Sequence, residues 1–538
     1  MTSLIRLTRF GLSAILVDCG TLQSALALHS YLSEHPFPGV LELIPAAQTV
    51  LVRCENFAAS EAFRTGFTWN GDDASSASAT TERVIDVVYN GEDLAEVAQL
   101  LNMSEEQVIE AHTGQQWSVA FAGFAPGFFY LHSENNVLQV PRRSSPRTAV
   151  PTGAVGLAGE FSGVYPRTSP GGWQLIGQTN APLWDLQQDP PALLAPGNTV
   201  KFRAVRERID LPSPATVQNT EVQYEPVLDV KAPGAQLLLQ DSGRRGLTHW
   251  GVSPSGYADP VSARTANHLV GNPAEAVVLE SLMGGFTLHA RADVVLALTG
   301  AHAPAVLAEP DKEDRMVPAN APFALRAGQT LTVGIAQQGL RVYCAIRGGF
   351  AAEEQAKSRS FDTMSGIGPQ PLQVGDTLGI QHTVGAAVAY PAVQAELPDT
   401  ENPTAIRVIP GPREDWFTED SIENFYSLTW ETTAESNRIG VRLKPRTQQN
   451  QQLTQPLERS TTDELPSEGM LSGAIQVPPN GEPVVFLADH PVTGGYPVIA
   501  TVHPADLRLL AQAQPGTPIS FIRFNPVKEA TEQENTRA

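Results

Sequence analysis

The chain has 538 residues, with 36 Lys and Arg against 57 Asp and Glu, for a net charge of −21. That is enough for about three to four domains of roughly 100 to 200 residues each, and so acidic a surface repels nucleic-acid backbones and anionic lipid surfaces. Hydrophobic residues make up 42% and charged ones 17%, and the 44 Gly and 43 Pro point to a globular, turn-rich, strand-heavy protein. Cys19, Cys54 and Cys344 are odd in number and contain no C-x-x-C pair, which excludes a disulfide framework or zinc ribbon and fits a reducing, cytoplasmic setting. No apolar run reaches the roughly 18 residues needed to cross a bilayer, so a soluble protein is expected.

In chain order, the apolar octet Phe10 to Val17 reads as a buried first strand, because it runs into Asp18 without a small-residue cleavage site. Strands Leu12 to Val17 and Thr49 to Cys54 flank a helix, Leu22 to Ser33, ended by His35-Pro36-Phe37-Pro38-Gly39. This predicts a small α+β domain over 1–81, closed by the polar run Asn70 to Thr81, which reads as an exposed linker. A second unit, 82–210, opens with a strand at Val84 to Tyr89 and a helix at Asp93 to Leu101. Ser104 and Gln107 then form a capping box for a helix ending near His112, followed by a strand at Ser118 to Phe121. The short apolar segments beyond, separated by Gly and Pro, predict a closed barrel, which leaves no exposed strand edges.

The Pro-rich stretch Leu211 to Val227 makes a connector, with the linker placed at 211–229. Strand-and-turn texture resumes over 230–398, and the Pro- and acid-rich stretch Pro391 to Pro403 separates it from a last unit, 399–525. The tail 526–538 is expected to be disordered.

The chain has no Walker-type phosphate loop, nucleophile elbow, zincin helix, kinase signature or biotinylation lysine. Its densest chemical segment is Asp489-His490-Pro491-Val492-Thr493-Gly494-Gly495-Tyr496-Pro497, after the apolar strand Val484 to Leu487. There Thr493, Gly494, Gly495 and Tyr496 offer backbone N–H groups to an anion, while Asp489 and His490 can move protons or orient a nucleophile. The alternative is a Gly-rich hairpin with a solvated Asp–His pair. The turn Gln240 to Gly246, with Asp241 and Arg244, suits a carboxylate or phosphate through Arg, or is simply a charged surface turn. Arg142, Arg143 and Arg147 form a basic cluster able to focus an anionic substrate such as a nucleotide, or to make surface ion pairs. Asn267, Asn272 and Glu280 lie amid apolar residues, where they need partners if buried, and equally serve as structural anchors.

The segments GFAPGFFYL (123–131), PRRSSPR (141–147), VPTGAVGLAG (150–159) and SPGGWQLIGQT (169–179) resemble the B-type component of 5-oxoprolinase, also called allophanate hydrolase subunit 1 or KipI-like. LLQDSGRRG, GVSPSGYAD, ANHLVGN, GLRVYCAIRGG, GAIQVPPNGEP and ADHPVTGGYP resemble its C-type component, also called allophanate hydrolase subunit 2 or KipA-like, related to the carboxyltransferase domain of urea amidolyase. The resemblance spans nearly the whole chain and implies cyclophilin-like β-barrels in both halves behind a small N-terminal α+β domain, a mainly β protein. Gly153-Ala154-Val155, Gln178 and Ser436-Asn437-Arg438 depart from the family pattern, so no side-chain role carries over to positions 154, 178 and 437.

Three activities are implied by the resemblance: ATP-dependent opening of 5-oxoproline with the A-type component of 5-oxoprolinase as a separate chain, carboxyl transfer in a biotin-dependent urea carboxylase, or regulation of a histidine kinase. The halves stand in the reverse of the urea carboxylase order and carry no biotin parts, which favours the BC component of a 5-oxoprolinase using ATP and Mg2+. A lactam resists direct hydrolysis, and phosphorylation of its carbonyl oxygen needs cations and backbone amides around a nucleotide. The expected site is a cleft between the halves. Gly123, Phe124, Pro126 and Gly127 with Arg142, Arg143 and Arg147 would face Asp259, Asn267 and the Asp489 to Tyr496 turn, with Asp489, His490, Asp259 and Asn267 as catalytic candidates. Replacing Asp489 or His490 is expected to abolish activity and leave folding intact.

Overall fold

A computed structural model describes residues 5–71, 81–143, 145, 147–207, 224–309, 311–446 and 457–529. Most of the polar run after Asn70, most of the connector from Leu211 and residues 530–538 of the tail therefore lie outside the described residues, whereas 526–529, expected to be disordered, are helical. Among the described residues no helix is long and apolar enough to cross a membrane.

The N-terminal unit is an antiparallel sheet in the order β1-β2-β4-β3, from β1 (Arg6–Arg9), β2 (Ala14–Asp18), β3 (Val40–Pro45) and β4 (Thr49–Cys54). Helices α1 (Leu22–Glu34) and α2 (Phe57–Gly66) are capped by Thr21 on the Ser24 N–H and Asn56 on the Ala59 N–H. The octet expected as one strand is a turn plus a strand. Gly11, at φ +69°, reverses the chain, and the Phe10 N–H donates to Ala14 O at 2.9 Å.

Strand β2 reads as continuously apolar because both its faces are covered. Ile15 and Val17 pack with Ala25, Leu28 and Leu32 of α1, whereas Ala14 and Leu16 pack with Met470, Ala474, Phe486 and Val498 from the far end of the chain. Full burial of a Leu or Phe is worth about 1.5 to 3 kcal/mol. The second face of this sheet is thus a structural joint between the chain's two ends.

The next unit is a seven-stranded sheet from β5 (Glu82–Val87), β6 (Trp117–Ala122), β7 (Phe129–His132), β9 (Ala154–Ala158), β10 (Phe161–Val164), β12 (Gln174–Gln178) and β13 (Thr199–Ala204). A bridge between Val88 and Gln178 joins its two ends, bringing it close to a closed barrel. A two-stranded ribbon, β8 (Arg147–Val150) with β11 (Ser169–Gly171), flanks it. Helix α3 (Leu94–Leu101) precedes α4 (Glu105–Gly114), whose N-terminus carries both hydrogen bonds of the Ser104–Gln107 capping box. His112 is a satisfied core residue between the Tyr89 hydroxyl (2.6 Å) and the Ser162 hydroxyl (2.8 Å), and burial pushes its pKa down to about 3.

Residues 228–378 form a six-stranded and a five-stranded sheet, β14 (Leu228–Pro233) belonging to the first and β15 (Gln236–Gln240) and β16 (Val278–Leu282) to the second. Leu228, Leu239, Leu279 and Phe286 share the core between them. Helix α5 (Pro260–Leu269) lies across the five-stranded sheet, with Ala263, Ala266 and Leu269 against Ala297 and Tyr343. The closed barrel of the second half comes later, built from seven strands between Thr404 and Arg523. Its Thr493–Gly494 segment pairs instead with Glu468–Gly469 as a separate two-stranded ribbon on its rim. Both halves thus contain barrel-like sheets, as the resemblance implies, and the chain is mainly β.

Candidate functional site

The Asp489 to Tyr496 segment leaves the barrel where the first half docks. Asp489 is fully buried, and Arg438 grips it with Nε on Oδ2 at 2.9 Å and Nη2 on Oδ1 at 3.0 Å. The Ser255 hydroxyl donates to Oδ1 at 2.7 Å, and the Thr363 N–H and hydroxyl donate to Oδ2 at 2.9 and 2.7 Å. Burial acts to raise the Asp489 pKa, but the Arg438 charge and these hydrogen bonds outweigh it and hold the carboxyl below its usual range. With both oxygens committed, Asp489 is a fixed anion that orients its surroundings. Arg438 also binds Glu280, which in turn accepts from the Tyr343 hydroxyl (2.9 Å) and the Ala258 N–H (3.0 Å).

His490 is buried and stacks on Phe486 with ring centroids 5.8 Å apart. Its Nδ1 lies 2.8 Å from Pro491 O, an acceptor only, so the proton sits on Nδ1 and Nε2 keeps its lone pair. Burial pushes its pKa down to about 4, against a smaller opposite pull from that hydrogen bond, leaving a neutral imidazole at physiological pH.

A second carboxyl, not singled out from the sequence, stands beside Asp489. Asp362 is fully buried, and it accepts from the Ser253 hydroxyl (2.9 Å), the Ser365 hydroxyl (2.5 Å) and the N–H groups of Met364 (2.9 Å) and Ser365 (3.2 Å). Burial and the neighbouring Asp489 charge raise its pKa. Two carboxyls whose pKa values are driven apart suit separate acid and base duties. The segment Ser360-Phe361-Asp362-Thr363-Met364-Ser365-Gly366 carries no motif that marks it in the sequence, and only long-range pairing reveals its burial. The three cysteines are also buried, and burial pushes Cys19 to about 12, with Asp18 adding to it, and Cys54 to about 11. Such thiols are poor nucleophiles.

The turn at Gln240 to Gly246 buries Gln240, Asp241 and Arg244 and leaves Arg245 and Gly246 exposed. Arg244 is buried and donates to Ser360 O (2.5 Å) and Ile367 O (3.1 Å), while Asp241 accepts from the Ser358 hydroxyl and the Arg359 N–H, both at 2.6 Å. These charges clamp the loop that carries Asp362.

Asp259 and Asn267 spend their side chains on hydrogen bonds within the second half. Asp259 caps α5 through the N–H groups of Val261 and Ser262 and receives Gln512 Nε2 at 3.0 Å. Asn267 donates to Ala276 O at 2.7 Å and accepts from Asn272 at 3.0 Å. Both act here as anchors.

The Gly123 to Gly127 loop does meet the turn. The Phe124 N–H donates to Thr493 Oγ1 at 3.2 Å, and a Cβ placed on Gly123 would come within 2.1 Å of that oxygen. The buried Pro126 precedes Gly127, whose N–H donates to Trp250 O at 3.0 Å. Arg142 crosses the junction to Glu464 (3.1 Å) and Ser467 (3.4 Å), and a Cβ on Gly495 would approach its Nη1 to 2.8 Å. A Cβ on Gly494 would strike Gln476 Nε2 at 2.5 Å, and Arg459 lies over the Tyr496 ring, 6.0 Å from its centroid. Arg143 and Arg147 instead turn back onto Asp93, at 2.6 and 2.7 Å, inside their own half. The basic cluster therefore contributes only Arg142 to the junction.

No group of three or more His, Cys, Asp or Glu able to hold a metal gathers among the described residues. A shallow groove of ≈ 660 Å³ lined by Glu419, Ile422, Tyr426, Phe521 and Arg523 opens on the barrel's outer side, and none of the junction residues lines it.

Comparison with known proteins places these halves. The chain is 36% identical over 300 residues to the C-type component of 5-oxoprolinase from Escherichia coli (strain K12), covering 55% of this chain and 91% of that one. It is 41% identical over 177 residues to the B-type component of 5-oxoprolinase from Escherichia coli O157:H7, covering 32% of this chain and 81% of that one. Urea amidolyase of Saccharomyces cerevisiae is 31% identical over 316 residues, 56% of this chain but 17% of that enzyme. A crystal structure of TTHA0988 superposes with a TM-score of 0.80 at 32% identity, covering 96% of this chain and all of that one. The family model for carboxyltransferase domain, subdomain C and D matches residues 5–194, and that for subdomain A and B matches residues 250–523. The chain belongs to the carboxyltransferase-domain family, with a half like the B-type component fused ahead of a half like the C-type component.

Proposed function

We propose that the chain is the fused BC component of an ATP-dependent 5-oxoprolinase, opening the 5-oxoproline lactam to glutamate with the separate A-type component. The observation that carries this reading is coverage: the two halves match relatives named as 5-oxoprolinase components over 91% and 81% of those components' lengths.

The junction supplies suitable groups. Asp362 is a carboxyl biased toward its protonated form, His490 Nε2 is a neutral proton acceptor, and Asp489 with Arg438 fixes Ser255 and Thr363 beside them. The cations fit a nucleotide poorly: Arg143 and Arg147 are taken by Asp93, Arg244 by backbone carbonyls, and Arg438 by Asp489 and Glu280. A triphosphate calls for several free cations. The nucleotide with its Mg2+ is therefore assigned to the A-type component or to the face shared with it, and the lactam to this chain.

Carboxyl transfer is the second reading, favoured by the urea amidolyase match. The two are separated by mixing the purified chain with the A-type component and assaying phosphate and glutamate release with and without 5-oxoproline, beside an assay of carboxyl transfer from a biotinylated carrier protein to urea. The 5-oxoprolinase reading expects oxoproline-dependent release and no carboxyl transfer. The reverse result would overturn it.

A further inference from the structure

Arg167 stands apart from the other arginines of the junction. It lies in the loop between β10 and β11, in the first half, and faces the Asp362–Gly366 loop of the second. A Cβ placed on Gly366 would come 3.4 Å from its Nη1, so the guanidinium rests against that loop's open backbone. It is only partly exposed, yet among the described residues it makes no hydrogen bond and no ion pair. Asp362 acts on it through space but is already engaged with Ser253, Ser365 and Met364. Two residues on, the Ser169 hydroxyl is buried without a partner. Its guanidinium nitrogens keep access to solvent and so to a ligand, and five N–H donors in a planar fork match a carboxylate or phosphoryl oxygen pair.

We propose that Arg167 binds an anionic oxygen group of the ligand at the junction, namely the carboxylate of the lactam substrate. Identification of that substrate rests on the 5-oxoprolinase reading. A lone guanidinium suits one carboxylate, whereas a polyphosphate would call for the further cations that Asp93, Asp489 and Glu280 have already neutralised. Arg167 is then the group that distinguishes 5-oxoproline from a lactam lacking its carboxylate.

Two measurements on the full chain test this. In the first, phenylglyoxal labelling of Arg167 is followed by peptide mapping with no ligand, with 5-oxoproline, and with adenylyl imidodiphosphate. Slowing by 5-oxoproline alone is the expected result. Slowing by the nucleotide analogue alone would reassign the anion to a phosphoryl group and overturn the carboxylate assignment, and no slowing by either would overturn anion binding at Arg167 altogether. In the second, the chain is assayed with the A-type component. Arg167→Gln should raise the KM for 5-oxoproline roughly 10- to 100-fold, as for loss of a hydrogen bond to a charged group, leave the KM for ATP unchanged and abolish the preference over 2-pyrrolidinone. Arg167→Lys should recover part of that loss. An unchanged KM and preference in Arg167→Gln would refute the proposal. Labelling needs no turnover, so absence of glutamate release from the wild type would refute the 5-oxoprolinase reading separately from the result at Arg167.

Discussion

Arg438 and Asp489 form a two-pronged ion pair, at 2.9 and 3.0 Å, in which neither side chain is more than 2% exposed. The pair joins the barrel of the second half to the sheet carrying Glu280 and to the Thr363 loop. Breaking a buried pair from one side strands a charge and costs roughly 3 to 5 kcal/mol. Asp489→Ala should therefore lower unfolding stability by about that much, in contrast to the sequence expectation of an intact fold. Urea denaturation checks this, and Asp489→Leu combined with Arg438→Met should recover part of the loss, Glu280 then keeping Arg341 at 3.5 Å as its cation. A stable single variant would show that the pair carries little stability.

Asp362 should respond in the opposite sense. Its pKa is raised by burial and by Asp489, so its ionised form carries a penalty above the usual carboxylate pKa that is relieved as the pH falls. Asp362→Asn should then cost less stability at neutral pH than Asp489→Asn, while still impairing turnover with the A-type component. Equal losses of stability in the two variants would contradict this ordering.

His112 and His490 make the fold acid-sensitive. Both are buried neutral, with pKa values pushed from 6.5 down to about 3 and about 4. Below pH 6.5 the unfolded chain takes up protons there that the folded chain refuses. Their contribution is thus complete above that pH and is lost progressively as the pH falls toward those folded values. Urea unfolding at a series of pH values should show stability falling with pH across this window, with His29, His249 and His503, also lowered by burial, adding to it, and the slope should drop by about one proton in His112→Gln. A flat profile would mean that the imidazoles are hydrated in the folded state.

The contact of Gly123 with Thr493 predicts a lock between the halves. Gly123→Ala would drive a Cβ to 2.1 Å from Thr493 Oγ1 and should weaken docking by roughly 1 to 3 kcal/mol, the usual scale of overpacking. Adding Thr493→Ala removes that oxygen and should restore part of it. Limited proteolysis near the connector reports docking, and equal resistance of wild type and Gly123→Ala would count against the lock.

Local signals were readable from the sequence and distant pairings were not. The short apolar run of Thr49–Cys54 located β4, and the Ser104–Gln107 spacing located a capping box, because each is decided within a few residues. β1 was missed because Arg-Leu-Thr-Arg is a short polar edge strand, and α2 because its apolar residues show a narrow face. At the site, the density of Asp, His and Gly pointed to the Asp489 turn. Yet Arg143 and Arg147 look like a substrate cradle until Asp93, some 50 residues earlier, is seen to neutralise them. Asp362 sits in a segment that no motif marks, and its burial depends on Arg244 gripping Ser360 from more than 100 residues away.

The decisive test of a site shared by both halves is glutamate release from 5-oxoproline and ATP, in the presence of the A-type component, by a C-terminal piece covering 224–538 with and without a separate N-terminal piece covering 1–207. The N-terminal piece contributes the Phe124 loop, Arg142 and Arg167, and its sheet buries Phe10, Leu16 and Leu51 against the barrel. A shared site predicts no glutamate from either piece alone and recovery on mixing. Full activity from the C-terminal piece by itself would contradict it.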